Sequence, residues 1–229
     1  MIRTLALSFV SVVALTGCNK LVSDKIDQSR IWTCYELFYD QNTDRTYATA
    51  IFRFSSNSGS ILQLSDPSKV LFDSGPMAWD EENGHYEVEI TGVQLIGTFE
   101  WTDTEGKVYT NSVQIHELSY GPQPDTLYKS DGDNQFTWSG DVIGDDETMV
   151  LTIVGSGTSD TREFTNDSLN HTSIKLDSLV LSQVTSGDVT LHLDRKYSPA
   201  MQQETERGGK RLGRYRPADR VIFLADSVL

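Results

Sequence analysis

From Ile31 onward the chain alternates apolar and polar residues with a period of two, and turn residues interrupt the alternation again and again. Side chains of a β-strand point to opposite faces in turn, so this pattern demands half-buried strands and excludes helices. Tyr47 to Phe54 is the clearest case. Ala48, Ala50, Phe52 and Phe54 share one face, and Tyr47, Thr49, Ile51 and Arg53 the other. Tyr86, Val88 and Ile90 oppose Glu87 and Glu89 in the same way, after an Asn83-Gly84 hairpin signal. Turns at Gln41–Asp44, Asp66-Pro67, Gly75-Pro76 and Thr102–Gly106 separate about seven short strands before residue 118.

Residues 119–128 read as a linker, because Gly121, Pro122 and Pro124 do not fit inside a sheet. The strand pattern then restarts. Gln135–Ser139, Thr148–Val154, Thr161–Thr165, Ser173–Leu176, Leu179–Val184, Val189–Asp194 and Val221–Leu224 are the expected strands. After the first thirty residues no stretch shows the helical period. The expected fold is all-β, with two tandem antiparallel β-sandwich modules at 31–118 and 129–229. In strand number and spacing they resemble immunoglobulin-like and fibronectin-like modules, without the paired cysteines of true immunoglobulin domains.

The first residues follow other rules. Arg3 is followed by an apolar run from Leu5 to Leu15, too short to span a bilayer but laid out like a secretory signal. The run ends Leu15-Thr16-Gly17-Cys18. That ending resembles the lipobox of bacterial lipoproteins. The resemblance implies that residues 1–17 are cleaved, that Cys18 becomes the first residue and is acylated, and that lipid anchors the chain. Asn19-Lys20 after the cysteine is similar to the outer-membrane sorting pattern. Polar residues 18–30 are then expected to be a tether.

Net charge is −14 over the full chain, which argues against nucleic acid as a partner. Residues 195–220 invert that balance with eight basic residues against three acidic ones. The segment reads as a long loop between two strands, and Arg207, Lys210, Arg211 and Arg214 in it are candidates for binding an envelope anion or an acidic envelope protein. The competing reading is that these cations pair with the chain's own acids.

Signals for chemistry are sparse. His85, His116, His171 and His192 have no metal-ligand spacing, and no nucleophile elbow, phosphate loop or dinucleotide fingerprint occurs. No cofactor is expected. Asp131, Asp133, Asp145 and Asp146 are weak calcium candidates in turns, without the twelve-residue calcium-loop pattern. With Cys18 acylated, Cys34 has no disulfide partner and reads as a buried apolar residue or a lone thiol. Trp32, Tyr35, Trp79, Tyr86, Trp101, Tyr109, Tyr120, Tyr128 and Trp138 could fill cores or stack on sugars. The sequence therefore points to a lipid-anchored, non-catalytic binding or scaffolding component of a bacterial envelope. The alternatives are an enzyme acting on glycans or cell wall, and a carbohydrate- or calcium-binding module.

Overall fold

The structure, a computed structural model, describes residues 21–122, 124–130, 132, 134–157 and 160–227. The N-terminal half runs β1 (Leu21–Val22), two 3-10 turns, β2 (Ile31–Asp40), β3 (Arg45–Phe54), β4 (Leu62–Gln63), β5 (Lys69–Phe72), β6 (Gly75–Pro76), β7 (Ala78–Asp80), β8 (His85–Thr91), β9 (Ile96–Thr102) and β10 (Val108–Gln114). The C-terminal half runs β11 (Ser119–Tyr120), β12 (Thr126–Tyr128), β13 (Gln135–Ser139), β14 (Glu147–Val154), β15 (Thr161–Asn166), β16 (Ser173–Lys175), the one-turn helix α1 (Ser178–Leu181), β17 (Gly187–Tyr197), β18 (Gly209–Arg216) and β19 (Arg220–Ala225). The all-β sandwich architecture expected from the alternation is the one observed.

Alternation becomes packing most directly in β2 and β3. Ile31, Thr33, Tyr35, Leu37 and Tyr39 of β2 point inward and are buried. Ala48 and Ala50 of β3 lie opposite Leu37 and Tyr35, and their small side chains leave room for large rings. Tyr35 stacks on Phe99 of β9 at 5.0 Å, Phe52 meets Trp101 at 5.2 Å, and Trp101 stacks on Tyr109 at 4.7 Å. Each such ring removes a large apolar area from water, which makes this layer the main stabilising element of the half. The facing sheet has the order β10-β9-β5-β6.

The largest sheet crosses from one half to the other. Its order is β12-β19-β17-β18-β2-β3-β8-β7, with β14 attached to β17 and β15 to β14. The crossing is made by β18, which pairs with β2 in parallel from Gly209↔Thr33 to Arg216↔Asp40. The two halves therefore share a sheet across residues 119–128, and that stretch itself contributes β11 and β12.

Three local expectations are corrected. Residues 195–220 are not one long loop: β17 extends to Tyr197 and β18 occupies Gly209–Arg216. Residues 21–30 are not a free tether, because β1 pairs with β4 and the side chains of Ser23 and Gln28 are buried. Within 179–184, α1 replaces the expected strand. Asp177 caps it, accepting hydrogen bonds from the Leu179 and Val180 N–H groups, and that local bond outweighs the β-branched composition.

The connection Ser198–Gly208 closes an edge. β10 ends its sheet, yet the Thr110 and Ser112 N–H groups donate to the side-chain carbonyls of Gln203 and Gln202 at 2.7 and 2.6 Å. The Asn111 side chain accepts in return from the Gln202 and Gln203 N–H groups. The two glutamines thus stand in for a neighbouring strand, and an open edge invites pairing with another chain. Changing both to alanine is expected to cost about 1–2 kcal/mol and to promote self-association. Thermal unfolding and light scattering after gel filtration check both effects.

Candidate binding face

The parallel addition of β18 to β2 builds a four-strand surface, β18–β2–β3–β8. One side of it covers the aromatic core, and the other side faces solvent. On that solvent side the register places Arg214, Phe38, Tyr47 and Glu89 in one cross-strand row, and Leu212, Glu36, Thr49 and Glu87 in the next. Residues directly opposite on neighbouring strands interact through their side chains. Phe38 and Tyr47 stack accordingly, 6.1 Å between centroids at 27°. The Arg214 guanidinium lies 3.6 Å from the centroid of Phe38, and its Nε is 3.0 Å from Glu36. Arg45 pairs with Glu89 at the rim, and His85 is 3.2 Å from Glu87. Thr49 is the one short side chain between Glu36 and Glu87. Around it lies an open depression of about 280 Å³, lined by Glu36, Phe38, Tyr47, Thr49, Glu87 and Arg214.

The buried charges lie elsewhere and serve the joint between strands. Arg195 of β17 reaches Glu147 of β14 with two hydrogen bonds, at 2.9 and 2.6 Å, and both side chains are almost fully buried. His116 bonds the same carboxylate, and the Gly144 N–H donates to it at 2.7 Å. Arg195 also donates to the carbonyls of Asp141 and Val142. Burial pushes the Glu147 carboxyl up, but hydrogen bonds from Arg195, the Gly144 N–H and His116 outweigh it and hold the group below its ordinary value.

A second set fills a fork in the sheet. One edge of β17 pairs with β19 through residues 187–191 and with β18 through residues 195–197. Between them Arg216 holds Asp194 with bonds of 2.9 and 2.7 Å, and His192 is 2.7 Å from Asp219. Lys129, Ser186 and Asp226 form a third group beside β19.

The four basic candidates do not converge. Arg211 points to the inner side and donates to the carbonyls of Ala200 and Ser112. Arg214 lies on the solvent face with Glu36 and Phe38. Lys210 follows it on that side at the level of Cys34, and Arg207 is exposed in the preceding turn. Asp145 and Asp146 are exposed in the turn before β14, while Asp131 and Asp133 lie outside the described residues, as does Cys18. Among the described residues no three His, Cys, Asp or Glu side chains are grouped closely enough to hold a metal ion. Cys34 is a free thiol on β2 whose pKa is pushed up to about 11, chiefly by burial and then by Glu36. It stays protonated at neutral pH and is a poor nucleophile.

Of the aromatics considered for sugar stacking, Tyr35, Tyr86, Trp101, Tyr109 and Trp138 belong to the core. Phe38 and Tyr47, which form the half-buried stack on the solvent side, are not in that set. The signal was present: Tyr47 sits on the face of β3 opposite Ala48, Ala50 and Phe52.

No family model matches the chain, and no curated protein matches it. Among solved structures it is similar to one described as "Structural insight into host cell surface retention of a 1.5-MDa bacterial ice-binding adhesin". Identity is 11% and the TM-score 0.23, with 88% of this chain and 67% of that chain covered. A likeness at that score does not place the two in a common fold.

Proposed function

We propose that the chain is a lipid-anchored component of a bacterial envelope, in the outer membrane, that binds a macromolecular partner without catalysing a reaction. The observation that carries this reading is the solvent side of β18–β2–β3–β8. Its aromatic stack and flanking ion pairs make a broad, open face of the kind partner surfaces use, with aromatic and arginine side chains at the centre. The buried ionisable groups are tied to strand joints, which leaves this face as the chemically varied surface.

The leader supports the anchoring. Only Asn19 and Lys20 separate Cys18 from β1, whose Leu21 pairs with Leu62. Three extended residues reach about 10 Å, so an acyl group on Cys18 would hold the β1–β4 end close to the lipid.

Two measurements in intact cells test this. Cys18→Ala is expected to move the chain from the membrane fraction to the soluble fraction. A photoreactive benzoylphenylalanine in place of Tyr47 is expected to cross-link a reproducible partner, and the same group in place of Glu163 on β15 is not. Unchanged fractionation sinks the anchor. Equal labelling from both positions, or none from Tyr47, sinks the face.

A further inference from the structure

We infer that the depression between Glu36 and Glu87 is a docking slot for a lysine or arginine side chain of a basic partner polypeptide. The inference rests on the reading of this face as a binding surface and specifies what it takes.

Four observations lead to it. First, the lining carries two carboxylates and one permanent cation. Glu36 is shared with Arg214, whereas the neighbour of Glu87 is an imidazole, His85. An incoming anion would meet a carboxylate on each side of Thr49, while an incoming cation would complete the charge balance. Second, Thr49 is short where its row neighbours are long, so room opens between the two carboxylates. Third, Phe38 and Tyr47 of the adjacent row border that room. Aromatic rings attract cations through their quadrupole, and Arg214 already lies over Phe38 at 3.6 Å. The chain's own arginine thus occupies one position of the type a partner's cation would take. Fourth, the net charge of −14 draws basic segments toward the molecule and repels acidic ones. The occupant is a polypeptide because the depression is open and continuous with a sheet face, which lets one side chain enter while its neighbours lie across Leu212 and Tyr47.

Overall acidity alone would attract basic peptides, so the test must separate the slot from the general field. Fluorescence anisotropy of the full chain is measured with labelled octalysine, octa-arginine and octaglutamate at moderate salt. The basic peptides are expected to bind and octaglutamate is not. The pair Glu36→Gln, Glu87→Gln is expected to weaken binding about tenfold. The pair Glu163→Gln, Asp167→Asn removes the same formal charge far from the slot and is expected to change binding by less than about twofold. Thr49→Arg, which supplies the slot with its own guanidinium, is expected to weaken binding at least as much as the first pair. Melting curves for each variant exclude a folding defect, and Thr49→Arg remains decisive if loss of Glu36 disturbs Arg214. Equal losses from the two charge pairs, or no binding of either basic peptide, overturn the inference. If Tyr47 still cross-links its partner in cells while the basic peptides fail, only the slot is lost. If that cross-link fails too, the binding face itself is wrong.

Discussion

Replacing Gly213 by alanine is expected to destabilise the protein by about 3–5 kcal/mol. Gly213 lies in the middle of β18, opposite Leu37 of β2 and Tyr197 of β17. A Cβ on it would sit 1.7 Å from the carbonyl oxygen of Gln114 and 3.3 Å from the Cα of Ile115. Both atoms belong to backbone, so no side-chain rotation relieves the overlap. Either the end of β10 lifts from β18, or β18 leaves β2. The first pulls the Ser112 carbonyl from Arg211, and the second opens the sheet that joins the halves. At about 2–4 °C per kcal/mol for a chain of this size, the melting temperature is expected to fall by roughly 6–20 °C. Gly106→Ala is the control: its φ of +82° strains a side chain, but nothing lies within 4 Å of the new atom. That change is expected to cost about 1–2 kcal/mol. A Gly213→Ala protein that melts with the Gly106→Ala control would mean that β10 does not cross β18 so closely.

The same glycine shows why part of this fold was legible in the sequence and part was not. In β2 and β3 the inward positions are apolar apart from Thr33 and Thr46 and the outward ones mixed, so the period of two announces both strand and face. In β18 the inward positions are Gly209, Arg211, Gly213 and Tyr215, and the outward ones Lys210, Leu212, Arg214 and Arg216. Inward space is taken by the backbone of Gln114 and Ile115, which forbids a side chain at Gly213, and Arg211 points in because carbonyls await it. Neither cause leaves an apolar signal, so the stretch reads as a basic loop. Its partner β2 lies far away in sequence, and parallel pairing at that distance has no local signature. The site inherits this limit. The outward placement of Phe38 and Tyr47 follows from alternation, but Arg214 reaches Phe38 only through the β18–β2 register. The pairing of charges was foreseeable in kind, since a basic segment in an acidic chain finds carboxylates, whereas the individual partners Glu36, Asp194 and Glu147 were not.

Glu147→Gln is expected to cost about 3–5 kcal/mol, because it leaves the guanidinium of Arg195 buried without its counter-charge. Arg195 retains the carbonyls of Asp141 and Val142, which satisfy hydrogen bonds but not charge. Replacing both partners with apolar residues of similar size, Glu147→Leu with Arg195→Met, is expected to recover much of the loss, since neither desolvated charge then remains. Recovery in the double variant separates charge burial from simple loss of packing. The pH dependence follows from the direction of the shift. The folded protein holds the Glu147 carboxyl below its ordinary value, so the unfolded chain binds the proton more readily. The stabilisation is therefore complete above the ordinary glutamate pKa. It declines as pH falls below that value and is gone once pH has passed through the lowered folded one. Urea unfolding from pH 7 down to about pH 3 is expected to show a steeper loss of stability in the wild type than in Glu147→Gln, so that the two curves converge in acid. His116 sharpens the comparison, because it bonds the same carboxylate from the segment that joins the halves. His116→Ala removes that bond but leaves Arg195 in place, and is expected to cost about 1–2 kcal/mol with the acid limb retained. Parallel curves for wild type and Glu147→Gln would show that this carboxylate does not carry the acid sensitivity of the fold.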